Sequence, residues 1–256
     1  MKYSPYSASK IGTYKNCPRA FKYRYVDKIK VPFIESEPLI KGHIVHSLLE
    51  NHDLDDKEKL EILRDDKRLK KSKVYNKDIL KEAWIIYKEF CKTDISKENF
   101  KEFTIGNEIR MALNTKLEPC DYFDDDCLIR GYIDRSSVNI ETNIVTVTDY
   151  KTGKDKSEGP YRQPFDQLLY YAPWMFAEFP TETINIQYLF VEHDKKLIKQ
   201  LSRDKIKNYQ LFIVKNISEI EKDEEFKKEE SKLCDWCDFK DLCKPSILEN
   251  ESNSYK

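Results

Sequence analysis

The chain lacks three features: long apolar runs, an apolar signal region and an excess of basic residues. No segment approaches the eighteen consecutive apolar residues of a membrane-spanning helix, and the first five residues lead into no apolar signal region. We therefore expect a soluble cytoplasmic protein with no membrane partner. The formal net charge of −1 disfavours a high-affinity, sequence-independent binder of nucleic acid, because such proteins usually carry a basic excess. The bias toward Lys, Ile, Asn and Tyr indicates a bacterial protein or a viral protein in a host cell.

Glycine is scarce, and the cysteines are odd in number. With six glycines in the chain, Gly42, Gly131 and Gly153 are informative because each lies beside a candidate motif. Seven cysteines in a reducing compartment argue against a disulfide framework. The chain has no GxxxxGK[ST] phosphate loop, which excludes a helicase motor built on that loop.

The length and composition predict one folded domain. The chain has 256 residues, of which 39% are hydrophobic and 12% aromatic, enough to build a substantial core. We expect a single domain over residues 1–248 and a polar tail over residues 249–256. A helical, highly charged insertion is predicted over about residues 55–118.

The predicted elements alternate between helices and strand pairs. Ser7-Ala8-Ser9 is expected to cap a helix with Ile11, Tyr14, Cys17, Phe21 and Tyr25 on one stripe. Further helices are predicted over about residues 40–51, 164–178 (interrupted or kinked at Pro173) and 204–222. A β-hairpin is predicted over about residues 127–151, and a second strand pair over 184–191 and 195–201. The order predicts an α/β fold with a mixed sheet.

The central strand pair carries two carboxylates and a lysine. Residues 144–148 are β-branched and predict a strand, so Asp149 and Lys151 project to the same face. Asp134 follows an earlier apolar run, and a turn at residues 141–143 would bring it close to Asp149. Two carboxylates suit Mg²⁺ or Mn²⁺, and an adjacent ammonium can orient a water and stabilise charge on a phosphate. An Asp-x-Lys on a strand is more often a solvated edge, so this interpretation depends on the surrounding motifs.

Two other segments offer polar groups at helical spacing. His46 follows Gly42 by four residues, and its neutral imidazole could complete a metal site begun by the carboxylates. A lone histidine is more often a buried or capping residue. Gln167 and Tyr171 are four apart, so their polar tips share a helix face and could reach a phosphate or orient the metal site. Ordinary helix polarity and a core tyrosine explain this pair equally well.

Three cysteines cluster near the end of the chain. Cys234, Cys237 and Cys243 supply three thiolates, and Cys17 beside Pro18 is the best candidate for a fourth. A Cys₄ zinc site is one interpretation, although zinc sites usually use two CxxC pairs and this chain has one. The arrangement of one cysteine plus three favours a [4Fe–4S] cluster, which would tie the first helix to the C-terminal segment.

Together these motifs resemble the PD-(D/E)XK nuclease superfamily, and in particular its RecB-like iron–sulfur branch. That branch includes the CRISPR-associated iron–sulfur exonucleases and the AddB nuclease domain. The resemblance covers most of the chain and rests on six motifs in the family's order: Ser7-x-Ser9-x₄-Tyr14-x₂-Cys17-Pro18-x₂-Phe21, Gly42-x₃-His46, Gly131-x₂-Asp134, Asp149-Tyr150-Lys151-Thr152-Gly153, Gln167-x₃-Tyr171, and Cys234, Cys237 and Cys243.

The resemblance implies a fold and a site. It implies a restriction-endonuclease-like mixed β-sheet core flanked by helices, with an N-terminal helical region and an iron–sulfur segment formed by residues 7–26 and 232–245. The divalent metal would be held by His46, Asp134, Asp149 and the Tyr150 carbonyl, and Lys151 would position or activate the attacking water. Gln167 and Tyr171 would organise the site and the strand, and the cluster would be held by Cys17, Cys234, Cys237 and Cys243.

The resemblance also implies an activity, and the sequence leaves alternatives to it. We expect a Mg²⁺- or Mn²⁺-dependent DNA exonuclease acting on single-stranded ends, in recombination, repair or CRISPR-adaptation processing, with recombination, replication or CRISPR-adaptation proteins as partners. The alternative from another class is a nucleic-acid-binding assembly subunit whose nuclease site works only within a partner complex. A zinc-stapled structural protein would explain the cysteines and leave the central motifs coincidental.

Overall fold

A computed structural model describes residues 2–32, 35–153 and 165–243 of the chain. Its centre is a five-stranded sheet in the order β1–β2–β3–β4–β5. The strands are Phe103–Asn114, Cys127–Asn139, Ile144–Lys151, Thr183–Phe190 and Lys195–Ser202. Only β3 and β4 run parallel, and the other neighbours are antiparallel. The mixed sheet with flanking helices is the predicted α/β architecture.

Helices cover both faces of the sheet. Before the sheet come α1 to α7, at Ala8–Asn16, Pro18–Phe21, Glu37–Glu50, Asp56–Asp65, Lys67–Lys71, Lys77–Lys92 and Asp94–Lys101. Within and after the sheet come α8 to α11, at Asp166–Leu169, Ala172–Glu178, Ile206–Lys222 and Lys240–Cys243. Short turns of other helix types lie at Lys22–Val26, Arg203–Lys205 and Lys232–Trp236.

Side-chain alternation in β3 and β4 divides the interior into two cores. Val147 pairs with Ile186, and both belong to a core that also contains Ile213 and Ile217 of α10. The opposite face of these strands carries Tyr150 and Leu189, which pack into a second core with α3 and α6. Asp149, one residue before Tyr150, therefore lies on the α10 side, whereas Tyr150 faces α3.

The first predicted helix is broken at Cys17. Ser7 caps α1 by accepting a hydrogen bond from the Lys10 amide, as expected, but Cys17 is extended (φ −165°, ψ 109°). The residue before a proline is disfavoured in helical geometry, and Pro18 opens the next helix instead. The prediction of one continuous helix was therefore wrong, although Ile11, Tyr14, Phe21 and Tyr25 all pack against the same core. The break leaves the Cys17 side chain outside a regular helix.

Residues 103–114 correct a second prediction. The segment expected to be helical through residue 118 contains four helices up to Lys101 and then β1. Glu102 ends α7 in extended geometry, and β1 follows at Phe103. Only Met111, Ala112 and Leu113 of β1 are buried, so the core-facing alternation in its first half is weak. The helical part packs through α3 and α6 against Tyr150 and Leu189 of the sheet.

The other predicted elements agree closely with the structure. The turn at residues 140–143 joins β2 to β3, and β4 and β5 form the second antiparallel pair. The helix predicted over 164–178 is interrupted, but the break lies at Tyr170 and Tyr171, and Pro173 occupies the first turn of α9. Pro164 and the tail at 249–256 lie outside the described residues. Within the described ranges, no helix is both long and apolar enough to cross a bilayer.

Candidate active site

The end of the β2–β3 pair brings two carboxylates together. The register stops at Arg135 opposite Thr148, and the next residues are Asp134 and Asp149. Asp134 Oδ2 accepts a hydrogen bond from the Tyr150 amide at 2.7 Å, which takes the place of the next ladder bond. Asp149 is 5% exposed, and Asp134 is half-buried. The strand ends therefore hold both carboxylates in a sheltered place.

Asp149 is held by a three-residue polar network. Gln167 Nε2 donates to Asp149 Oδ1 at 2.6 Å, and Lys151 Nζ donates to Gln167 Oε1 at 3.0 Å. Lys151 Nζ also lies 2.5 Å from Asp149 Oδ2, and its ammonium lies 4.8 Å from the Tyr188 ring centroid. The Gln167 amide thus contacts the carboxylate and the ammonium simultaneously. It fixes their relative positions.

A second cluster of possible metal ligands surrounds Asp134. One ligand atom from each of His46, Glu108 and Asp134 lies within 4.8 Å of the others. His46 Nδ1 is 3.5 Å from Asp134 Oδ2, and the imidazole lies edge-on to the Tyr150 ring with the centroids 6.2 Å apart. A histidine nitrogen with two carboxylate oxygens suits Mn²⁺ and related divalent cations. These residues fit a divalent cation.

The electrostatics of this cluster also suit a cation. Burial raises the pKa of Asp134 well above its ordinary value, and the neighbouring Asp149 charge raises it further. Glu108 is exposed at the rim of the cluster, but the partial desolvation of its carboxylate, with Asp134 as the next cause, still raises its pKa to about 7. Burial lowers the pKa of His46, which favours the neutral imidazole that can bind a metal. Close carboxylates that repel one another are stabilised by a shared divalent charge.

Tyr171 closes the same site from the helical side. A Cβ added at Gly131 would lie 2.4 Å from the Tyr171 hydroxyl oxygen, so only glycine allows the tyrosine to approach β2 this closely. Burial raises the pKa of Tyr171, and the charges of the Asp149 and Asp134 carboxylates add to the effect. A groove of about 1540 Å³ contains Asp134, Lys151, Gln167 and Tyr171 in its walls. A flexible polymer has room to enter it.

The four predicted cysteines line a second cavity. Its volume is about 260 Å³, and Cys17, Cys234, Cys237 and Cys243 all contribute to its wall. All four are free thiols, and the charges of the other three raise the pKa of Cys243 beyond the effect of burial. Backbone amides of Glu229 and Ser231 lie 3.5 and 3.4 Å from sulfur atoms of Cys17 and Cys234. Four converging thiols with amide donors fit an iron–sulfur cluster or a zinc ion.

The structure brings the residues that the sequence motifs single out to one end of the sheet, and it adds Glu108 to them. His46, Asp134, Asp149, Tyr150, Lys151, Gln167 and Tyr171 all come to one end of the sheet. Glu108 stands in β1, between the partner pairs Asn107–Arg135 and Ile109–Ile133, and so opposite Asp134. It was missed because its segment was predicted to be helical. The alternation of Ile109, Met111 and Leu113 was the signal that could have revealed the strand.

Comparison with known proteins assigns the chain to a family. The model of the PD-(D/E)XK nuclease superfamily matches residues 5–244. No curated protein matches the chain. The crystal structure of SSO0001 is similar at 15% sequence identity and a TM-score of 0.34, over 80% of this chain and 96% of that one. At these values the structural likeness carries no argument. The family match and the site geometry carry the interpretation.

Proposed function

Because the chain belongs to the PD-(D/E)XK nuclease superfamily, whose members are metal-dependent nucleases, we propose that it is a Mg²⁺- or Mn²⁺-dependent DNA exonuclease acting at single-stranded ends. One observation carries the proposal. The possible metal ligands His46, Glu108 and Asp134 adjoin the network of Asp149, Lys151 and Gln167. Of these groups, Asp134, Lys151 and Gln167 line one open groove. This combination supplies the ligands and the charge that phosphodiester hydrolysis requires.

Each residue has a defined task in this proposal. His46, Asp134, Asp149 and the Tyr150 carbonyl would hold the divalent cation, and Glu108 would join them from β1. The bound cation supplies Lewis-acid stabilisation of the phosphate and of the attacking water. Lys151 orients this water and stabilises the negative charge that develops on a phosphate oxygen as the P–O bond breaks.

Gln167 and Tyr171 act as positioning residues in the same proposal. Gln167 holds the Asp149 carboxylate and the Lys151 ammonium through its single amide group. Tyr171 packs against Gly131 and fills the space beside the carboxylates. A buried, hydrogen-bonded surround of this kind limits the movement of the reacting groups.

We propose a [4Fe–4S] cluster at the cysteine cavity. Cys17, Cys234, Cys237 and Cys243 would hold it as thiolates, and the nearby amides would stabilise the charge on sulfur. Its role would be to fix the C-terminal segment against α1 and α2. Anaerobically purified protein should be brown, with broad absorbance near ~400 nm. Colourless protein containing stoichiometric zinc would refute the cluster.

The function is tested by digestion of labelled strands. Anaerobically purified protein is incubated with 5′- or 3′-labelled single-stranded and duplex DNA, with Mg²⁺, Mn²⁺ or EDTA. We expect progressive shortening of single strands that EDTA abolishes. The labelled end that is released first gives the polarity. Resistance of every strand to the isolated protein with either metal would overturn the proposal of a stand-alone exonuclease.

A second candidate function is an assembly subunit whose nuclease site works only within a partner complex. The near-neutral charge of the chain favours it, because a protein that binds nucleic acid alone usually has a basic excess. Recombination, repair, replication or CRISPR-adaptation proteins are the expected partners, in the cytoplasm of a bacterium or a virus-infected cell. Digestion by the isolated protein distinguishes the two functions.

A further inference from the structure

A cluster of aromatic rings and guanidinium groups, which we call the β1–β2 platform, lies partly in the wall of the groove, which Tyr122, Arg130 and Tyr132 line. It consists of Tyr122, Phe123, Tyr132, Arg110 and Arg130. The Tyr122 ring centroid lies 5.2 Å from that of Phe123 and 5.3 Å from that of Tyr132. The Arg130 guanidinium lies 4.8 Å from the Tyr122 centroid, and that of Arg110 lies 5.7 Å from it. The rings and guanidinium groups form a contiguous surface.

The platform adjoins the site through the geometry of β2. Arg130, Tyr132 and Asp134 alternate along this strand and therefore share one face. Residues two apart on a strand are separated by about 6.8 Å, which is close to the spacing of nucleotides in an extended single strand. Arg110 pairs directly with Tyr132 across the β1–β2 ladder. The platform therefore begins about one nucleotide from the possible metal ligands.

The platform is held in place before any ligand arrives. Arg130 Nη1 donates to the Tyr122 carbonyl at 2.9 Å, which fixes the Tyr122 backbone against β2. Asp121 Oδ1 accepts from the Phe123 amide at 2.8 Å, and Asp126 Oδ1 accepts from the Thr115 hydroxyl at 2.9 Å. A surface ordered in advance loses little conformational entropy on binding.

The exposure and charge of the platform favour the flat faces of nucleic-acid bases as its ligand. Phe123 is 68% exposed and Tyr132 is 43% exposed, although folding would ordinarily bury such rings. The connecting loop carries Asp121, Asp124, Asp125 and Asp126, and these carboxylates oppose a close run of phosphates. Aromatic and guanidinium planes stack on bases, which a single strand exposes and a duplex conceals.

We propose that the β1–β2 platform stacks the bases of single-stranded DNA next to the phosphodiester bond that is hydrolysed. The proposal rests on the proposed nuclease function and adds the origin of its preference for single strands. The platform binds bases, and the groups around Asp134 and Lys151 bind the phosphate. The same platform would also fix the distance from the stacked base to the bond that is broken.

Binding measurements test the proposal independently of cleavage. The anisotropy of a labelled single-stranded oligodeoxynucleotide is measured with EDTA present, for wild type, Phe123→Ala and Tyr132→Ala. We expect each variant to weaken binding by roughly tenfold, the effect of removing one stacking ring. The matched control is Phe103→Ala, because Phe103 is 61% exposed on β1 and pairs with Val138, far along the β1–β2 ladder from the Arg110–Tyr132 pair. The control should bind as wild type does.

Abasic oligonucleotides separate stacking from other effects. Replacing the bases near the labelled end by abasic sites should weaken wild-type binding and leave binding by the Tyr132→Ala, Phe123→Ala double variant nearly unchanged. Equal loss for both proteins, or unchanged binding by Phe123→Ala, would overturn the platform. Equal losses on duplex and single strands would also overturn it. Cleavage by wild type together with any of these results would leave the nuclease function standing.

Discussion

The end of the sheet and the C-terminal cysteine segment, residues 232–243, differ in what holds them. At the end of the sheet, Asp149 is 5% exposed and Tyr150 is 3% exposed, and each contacts several polar partners. In the cysteine segment, Trp236 is 86% exposed, and Leu233 and Leu242 are each 54% exposed. The sheet orders the first region through its own packing, whereas the second has little core of its own.

The cysteine segment has one main anchor among the described residues. Phe239 is 2% exposed, lies 5.5 Å from the Tyr23 ring centroid and is covered by the Arg24 guanidinium. Arg24 also forms an ion pair with Asp238, but both partners are exposed, and such pairs stabilise a fold little. A segment with one buried ring needs an additional link to stay in place. The four cysteines are positioned to supply it.

The largest effect confined to one of the two regions is expected from Asp149→Ala. Removing this carboxylate should lower cleavage on the order of 10³-fold or more, because the cation and Lys151 both lose a partner. The proposed cluster colour should remain at its wild-type level, since the cysteine cavity is separate. The measurement is digestion of labelled single strands together with the visible spectrum. Full activity in this variant would remove Asp149 from the site.

Cys234→Ala should have the opposite pattern. We expect loss of the colour and rapid proteolytic cleavage within residues 232–243, because the segment then depends on Phe239 alone. The matched control is Cys91→Ala, since Cys91 lies outside the cavity that the four cysteines share. Absorbance and limited proteolysis measure both effects. A Cys234→Ala protein that kept its colour would show that this thiol does not hold the cluster.

Gln167→Ala should have a smaller effect confined to the end of the sheet. The substitution removes the amide that holds Asp149 and Lys151 together but leaves both groups present. We expect a loss of roughly 10- to 100-fold in activity, as for other residues that orient metal ligands. Gln167→Glu is the informative companion, because it keeps the acceptor for Lys151 and removes the donor to Asp149. An unchanged kcat for Gln167→Ala would contradict the positioning role.

The smallest expected effect is that of Glu108→Gln. The substitution keeps the shape of the side chain and removes its charge, so the cation loses one of the three clustered ligands. We expect the Mn²⁺ concentration for half-maximal activity to rise roughly tenfold, with a smaller change in the maximal rate. A metal titration of activity separates the two quantities. An unchanged requirement for metal would place Glu108 outside the site.

Features that depend on a few neighbouring residues could be predicted from the sequence. The β-branched run at 144–148 and the Ser7 cap each determine their own geometry, and both agree with the structure. The helix break was missed because the apolar stripe continues through Cys17, although Pro18 removes helical geometry there.

Long-range features were harder to predict. The start of β1 was missed because Phe103 and Ile105 are apolar but exposed. Apolar residues there do not alternate with polar ones between a buried and an exposed face. The position of Glu108 opposite Asp134 depends on strand register, and no short segment encodes a register alone. The grouping of Asp134 with Asp149 was predictable because a single hairpin joins them. The contribution of Glu108 from β1 was not predictable in this way, because no single hairpin joins β1 to Asp149.

The end of the sheet draws its groups from α3, β1, β2, β3 and α8, which are spread from His46 to Gln167. Contacts between such distant segments form late in folding, because the intervening loops must close first. The three clustered metal ligands therefore come together only when both helical cores have packed against the sheet. A partly folded chain therefore lacks the assembled site.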